Sequence, residues 1–208
     1  MNEYNYKEIA NRYDEQVKDY DSFGHDVIFG MSYQYVKPDE KILDLGIGTG
    51  LASIPFSKIG LKVYGLDISQ DKLNICRGKA FTEELKLHDL SDNKLPYNDK
   101  SFNHIICCGV FHFLSELGNI FSEVARIMKQ DGIFAFTISP GNQTQDYIKG
   151  MNSWKMPIYK HSPNYIIRLL HNNGMESLKE QRLLMKGMNK INYDMKLSVI
   201  IAGYKKPY

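Results

Sequence analysis

Between Lys41 and Ser139 the chain alternates short apolar runs with stretches whose apolar residues recur every third or fourth position. Lys41–Gly46, Lys62–Asp67, Glu84–Asp89, Phe102–Gly109 and Gly132–Ser139 read as strands. Helical stretches fall between them at about residues 50–59, 70–80 and 115–129, the last with Ile120, Val124, Ile127 and Met128 at helical spacing. Such alternation predicts βαβ units and a mostly parallel sheet covered on both faces. The ends depart from this rhythm. Tyr6, Ile9, Tyr13, Val17 and Tyr20 lie on one helical stripe. Ser162-Pro163 reads as an N-cap with proline at the first helical position, opening a helix over Asn164–Asn172, and Gly174 suits its terminus. Met175–Lys186 and Met195–Lys205 then read as two strands joined by a turn region, so the sheet is expected to end antiparallel.

Composition narrows the class. A chain of 208 residues, 43% hydrophobic and 24% charged, predicts one globular domain with an elaboration and argues against disorder. No apolar stretch approaches a membrane span, and residues 1–20 lack the apolar region of a secretory signal. Three cysteines, two of them adjacent, make no disulfide framework and have no metal-spaced partners, so a cytoplasmic setting and no metal are expected. The net charge of +2 conceals a split. Residues 1–40 carry 4 Lys/Arg against 9 Asp/Glu, and residues 149–208 carry 11 against 3. A basic tail of this kind suits either an anionic partner or packing against the acidic front.

The strongest chemical signal is Ile42-Leu43-Asp44-Leu45-Gly46-Ile47-Gly48-Thr49-Gly50, an apolar strand running into three alternating glycines and then a helix. Glycine lets the backbone turn sharply and lets a ligand approach it, and the helix start offers free N–H groups. Asp67 closes the second strand 21 residues after Gly46, where a carboxylate can accept from both ribose hydroxyls of a nucleoside. A dinucleotide site wants its third glycine at the position of Leu51, and Asp44 would sit badly against a pyrophosphate. The same carboxylate suits the ammonium and sulfonium of S-adenosylmethionine. Methyl transfer is therefore favoured over a nicotinamide-dependent oxidoreductase.

With these motifs the chain resembles the class I S-adenosylmethionine-dependent methyltransferases. Tyr13-Asp14, Asp44–Gly50, Gly65–Ser69 and Leu95–Phe102 are similar to the ubiquinone-biosynthesis-like group, and Gly109-Val110-Phe111-His112 resembles the Williams–Beuren-region methyltransferase-like proteins. The resemblance implies a Rossmann-like three-layer α/β sandwich with a seven-stranded, mostly parallel sheet of order 3-2-1-4-5-7-6 and strand 7 antiparallel. It implies one domain: an N-terminal helical cap (1–40), a cofactor-binding core (41–139), and a substrate-cover segment with a terminal hairpin (140–208). Gly46, Gly48 and Gly50 would cradle the methionine part with Asp44 near its ammonium. Asp67 would bind the ribose, Ile68 would cover the adenine, and Asp89 with Leu90 would meet the adenine amino group. Cys108, Gly109 and Val110 would lie beside the sulfonium. Ile47 departs from the small or polar residue usual at its position.

Methyl transfer needs alignment, exclusion of water and, for some acceptors, removal of a proton. His112, just beyond the fourth strand at the sheet edge where such folds bind ligands, is the candidate base, with an ordinary imidazole pKa suited to that task. His88 and His104 fall within predicted strands and read as structural. Trp154, Tyr159 and His161 lie in the variable segment that shapes the acceptor site in relatives, and Tyr13 and Tyr20 offer a lid. The fourth strand lacks the Asn/Asp-Pro-Pro-aromatic pattern of amide and exocyclic-amine methylation, and no nucleic-acid module is present. A small-molecule acceptor is expected by elimination. An RNA methyltransferase using the basic C-terminal part, or a non-catalytic S-adenosylmethionine-binding protein, are the alternatives.

Overall fold

The apolar runs of the middle region become β1 (Lys41–Leu45), β2 (Lys62–Asp67), β3 (Thr82–Leu87), β4 (His104–Cys107) and β5 (Ile133–Ile138). They are seen in a computed structural model that describes residues 14–142, 144–151, 156–186 and 192–204. These five pair in parallel, with Asp44 beside Gly65 on one side and Ile106 on the other. Two further strands, β6 (Tyr147–Met151) and β7 (Pro157–His161), form a separate hairpin, and β8 (Met175–Met185) and β9 (Met195–Tyr204) complete the main sheet antiparallel. The seven-stranded order is β3-β2-β1-β4-β5-β9-β8. This is the order anticipated from the sequence once the inserted hairpin is counted.

Side chains on both faces of the sheet are buried, as crossover helices require. Alternation along β5 sends Phe134, Phe136 and Ile138 to one core and Ile133 and Ala135 to the other. Helices α1 (Gly24–Ser32), α2 (Ile54–Lys58) and α3 (Gln70–Gly78) contribute Ile28, Phe56 and Leu73 to the second core. Helices α4 (Gly118–Ile127) and α5 (Pro163–Asn172) cover the first core. In α4 the buried residues Ile120, Phe121, Val124 and Ile127 make the apolar stripe that its spacing predicts. Helix α5 begins as anticipated: Ser162 Oγ accepts from Tyr165 N at 3.0 Å, and Pro163 follows. Gly174, at φ +71°, ends it.

Several expectations need correction. Strand β3 stops at Leu87, so His88 and Asp89 lie in the loop beyond it. Strand β4 is shorter than the apolar run, because the chain turns at Cys108-Gly109, where Gly109 has φ +73°. The segment that follows β5, expected to cover the substrate, contains the β6–β7 hairpin, which its sequence does not predict. Tyr147–Met151 carries a lysine and a glycine and lacks period-2 alternation, so only its pairing with Pro157–His161 makes it a strand. His104 does prove structural: it is buried, and its Nε2 lies 2.8 Å from Glu40. Tyr13 and Trp154 fall outside the described residues.

The acidic front and basic rear do meet. Residues 14–19 are helical, and just after them Lys186 Nζ pairs with Asp21 at 2.8 Å, Tyr193 donates to the same carboxylate, and Lys186 N donates to Tyr20 O at 3.1 Å. At the other end of this segment Asp14 pairs with Lys79 at 2.9 Å and accepts from Thr49 Oγ1 in the glycine loop. The N-terminal segment thus links the glycine loop to the β8–β9 hairpin. No helix among the described residues is long and apolar enough to cross a membrane.

Candidate functional site

The glycine loop leaves β1 at the carboxyl edge of the sheet, and its three glycines all have positive φ: +76°, +55° and +91° for Gly46, Gly48 and Gly50. Their surroundings differ. A Cβ on Gly46 would lie 2.4 Å from Val110 Cγ2, and one on Gly50 would lie 2.4 Å from Phe81 Cζ. These two let the loop press against the β4 exit and against Phe81. At Gly48 the nearest atoms would be 3.9 Å away or more, so space remains beside its backbone. We expect Gly46→Ala to lower stability by about 1–3 kcal/mol through overpacking. Gly48→Ala should cost roughly 1–2 kcal/mol from backbone strain alone and act mainly on ligand binding. Thermal melts and ligand titration of the two variants separate these effects. Ile47, the unusual residue of the loop, is buried against Gly65; a Cβ there would lie 2.5 Å from Ile47 Cδ1. Gly65 makes room for the bulky side chain.

Two carboxylates flank the loop. Asp67 accepts from Gly48 N through Oδ2 and from Ser69 N through Oδ1, each at 2.8 Å, so it ties the loop to the start of α3. Asp44 is only 1% exposed; Oδ2 accepts from Ser53 Oγ at 2.6 Å, and Oδ1 has no partner. Burial pushes the Asp44 carboxyl up to about 7, with the Ser53 hydrogen bond opposing and the charge of Asp67 adding to the rise. A buried, half-satisfied carboxyl beside a second acid is a place for a cation.

The remaining candidates divide by position. Ile68, next to Asp67, is 68% exposed, an apolar surface free to receive a flat ring. Asp89 is turned on its own loop, accepting from Ser91 N and Oγ, which hold its carboxyl below the ordinary range; Leu90 is buried. The β3 exit stays near Asp67 because His88 N donates to Asp67 O at 3.0 Å. At the β4 exit Gly109 N donates to Thr137 Oγ1 at 2.8 Å. The Cys108 thiol is pushed up to about 12 by burial and then by Asp44, which keeps it protonated.

His112 sits in the 3-10 turn Phe111–Phe113, half-buried. Its imidazole is lowered to about 4 by desolvation, then by His161 and by Lys72. It is neutral at ordinary pH and a weaker base than an unperturbed histidine. His161 is fully buried at the end of β7, with Nε2 3.0 Å from Phe111 O. Tyr159 stacks edge-on with Tyr147 across the hairpin at 5.4 Å.

The fold therefore gathers Asp44, Gly46, Gly48, Gly50, Asp67, Ile68 and the Cys108–His112 stretch at one edge. Asp89 and Leu90 follow His88, which bonds to Asp67, whereas Tyr20, Tyr159 and His161 belong to the surrounding segments. Sequence reasoning missed Ser53, Thr137 and Lys72. Thr137 carried a signal, as the one polar residue in Ile-Phe-Ala-Phe-Thr-Ile. Lys72, whose Cδ would be 3.9 Å from a Cβ on Gly48, carried none, because lysine in the first turn of a helix is ordinary.

Residues 43–136 match the family described as a methyltransferase domain. An uncharacterized methyltransferase, YcgJ of Bacillus subtilis, is 29% identical over 101 residues, 47% of this chain and 40% of that protein. A demethylmenaquinone methyltransferase of Tropheryma whipplei is 31% identical over 97 residues, 47% of this chain and 41% of that one. The matched region spans less than half the length of these curated relatives. Among solved structures, a SAM-dependent methyltransferase from Methanosarcina mazei superposes with a TM-score of 0.71 at 16% identity, covering 85% of this chain and 98% of that one.

Proposed function

We propose that the chain is a class I S-adenosylmethionine-dependent methyltransferase that transfers a methyl group from S-adenosylmethionine to a small-molecule acceptor; the match of residues 43–136 to a methyltransferase domain supports this reading. The observation that carries this reading is the unpartnered Oδ1 of buried Asp44 beneath the glycine loop. A carboxyl left in that condition fits the ammonium of a methionine moiety and opposes a pyrophosphate. Space beside Gly48 admits the ligand against the backbone. Asp67, at the tip of β2, keeps lone pairs for ribose hydroxyls even while it accepts from Gly48 and Ser69, and exposed Ile68 supplies a face for the adenine.

Bound S-adenosylmethionine supplies a methyl group on a positively charged sulfur. The chain's own residues align the acceptor and keep water away. Gly109, held by Thr137, and Val110, pressed on Gly46, shape the wall beside the reacting centre. Neutral His112 offers a nitrogen that can take the acceptor's proton. Held at about 4, it suits an acceptor that is already acidic better than one that holds its proton firmly. The segment from Asp14 to Ser22, anchored at both ends, covers the edge together with the β8–β9 hairpin.

Support for a small molecule over RNA comes from the basic C-terminal part. Arg168 is paired with Asp146, Arg182 with Glu180 and Lys186 with Asp21, which spends cations that phosphates would need. The demethylmenaquinone methyltransferase relative is named for a small-molecule substrate. Calorimetry should detect binding of S-adenosylhomocysteine and none of NAD. Binding of NAD with no binding of S-adenosylhomocysteine would overturn the proposal.

A further inference from the structure

His161 was singled out in the sequence as a polar contact for the acceptor, yet its side chain is fully buried and committed elsewhere. Its backbone is fixed first. His161 N donates to Ser139 O at 2.9 Å, and Gly141 N donates to His161 O at 2.7 Å, so the end of β7 is clamped to the exit of β5. From there the imidazole reaches back fifty residues in sequence to the carbonyl of Phe111. A carbonyl only accepts, so Nε2 carries the hydrogen. Nδ1 makes no hydrogen bond; burial lowers the ring's pKa, and the backbones of Phe111 and of Leu114, three residues on, both face the ring and oppose that shift. The ring lies roughly parallel to Tyr165 of α5, centroids 5.9 Å apart. Tyr165 in turn accepts through its hydroxyl from Leu117 N at 2.9 Å. The stretch from Phe111 to Leu117 is thus pinned near both ends by one stacked pair, and His112 lies within it.

We propose that His161 is a positioning residue: by donating to the Phe111 carbonyl it fixes the 3-10 turn that presents His112, and so couples the inserted β6–β7 hairpin to the reacting centre. The proposal rests on the methyl-transfer reading only for the significance of His112; the mechanical link does not depend on it. Phe111 alone does not define the turn. Its ring is locked among Phe121, Phe134 and Phe136, and the turn closes on itself through Phe113 N to Val110 O at 2.9 Å and Leu114 N to Phe111 O at 3.1 Å. The His161 donor reaches the same carbonyl from outside the turn and ties it to β7.

The link can be tested without knowing the acceptor, by following the His112 ring proton by NMR between pH 5 and 8 in full-length wild type, His161→Leu and His161→Gln. Glutamine places an N–H close to where Nε2 stands, and leucine does not. In wild type the signal should stay flat over this interval, since His112 is held at about 4. In His161→Leu the turn loosens into water, and His112 should titrate inside the interval, towards the ordinary value of about 6.5. His161→Gln should restore the flat profile. Both variants lack the second imidazole, so the difference between them reports the hydrogen bond and not the lost ring charge. If the leucine variant does not fold, His161→Asn, whose amide falls short of Phe111, takes its place with the same expectation. A flat profile in the leucine or asparagine variant, or a glutamine profile that follows theirs, overturns the proposal. S-adenosylhomocysteine calorimetry on the same samples keeps the two readings apart. Absence of binding in wild type sinks the methyl-transfer reading, while the His112 profiles still decide the positioning role.

Discussion

Replacing Asp44 with asparagine should stabilise the ligand-free chain at pH 8 and at the same time weaken S-adenosylhomocysteine binding on the order of tenfold or more, the scale of a lost charged hydrogen bond. The two effects share one cause. A carboxyl raised by burial from 3.8 to about 7 is disfavoured in its ionised form. At about 1.4 kcal/mol per pKa unit the ionised form costs roughly 4 kcal/mol. The asparagine amide must still be desolvated, so a net gain of about 1–3 kcal/mol is expected. The sign follows from proton linkage. Between 3.8 and about 7 the folded chain holds a proton that the unfolded chain has released, so Asp44 erodes stability as pH rises through that window. The asparagine variant should therefore gain most above pH 7, and its advantage should vanish as pH falls towards 4. Thermal melts across that range check this, and equal stabilities at pH 8 would remove the charge from Asp44. Binding gives a second reading. An ammonium beside Asp44 favours the ionised form, so calorimetry at pH 6 should record release of up to about one proton, and almost none at pH 8. On the proposed reading, the carboxylate costs the fold stability in exchange for a charge that meets the ligand's ammonium.

Asp67→Ala should weaken S-adenosylhomocysteine binding by about 2–3 kcal/mol, roughly 30- to 150-fold. Two losses combine. The acceptor proposed for the ribose hydroxyls disappears, and Gly48 N and Ser69 N lose the carboxylate that holds the loop to α3. Asp67→Asn should lose less, since its single oxygen still serves one of those two donors. An unchanged dissociation constant in the alanine variant would take Asp67 out of the site. A full loss in the asparagine variant would place the weight on the ribose and not on the loop.

The parts of the site legible in the sequence are those written in consecutive residues. Glycines at alternate positions after an apolar strand, with an acid closing the next strand, carry their meaning locally because each needs only its own backbone conformation and the helix that follows. That the main sheet is mostly parallel and ends antiparallel was legible for a related reason: a parallel strand demands a crossover, and a long hairpin at the end of the chain joins antiparallel. The order of its strands came from the family resemblance and not from these rules. The β6–β7 hairpin was not legible, because its strands lack an alternating pattern and exist through their pairing with each other.

Sequence alone thus determined the glycine loop and the two carboxylates, Asp44 and Asp67, that flank it. Tertiary structure decided the condition of those residues. It left one oxygen of Asp44 without a partner, packed Gly46 and Gly50 tightly while leaving room beside Gly48, and lowered His112 well below its ordinary value. It also turned His161 inward onto the Phe111 carbonyl. Each of these depends on burial or on contact between segments far apart in the chain, and a pKa or an unsatisfied atom is a property of that environment rather than of the residue that carries it.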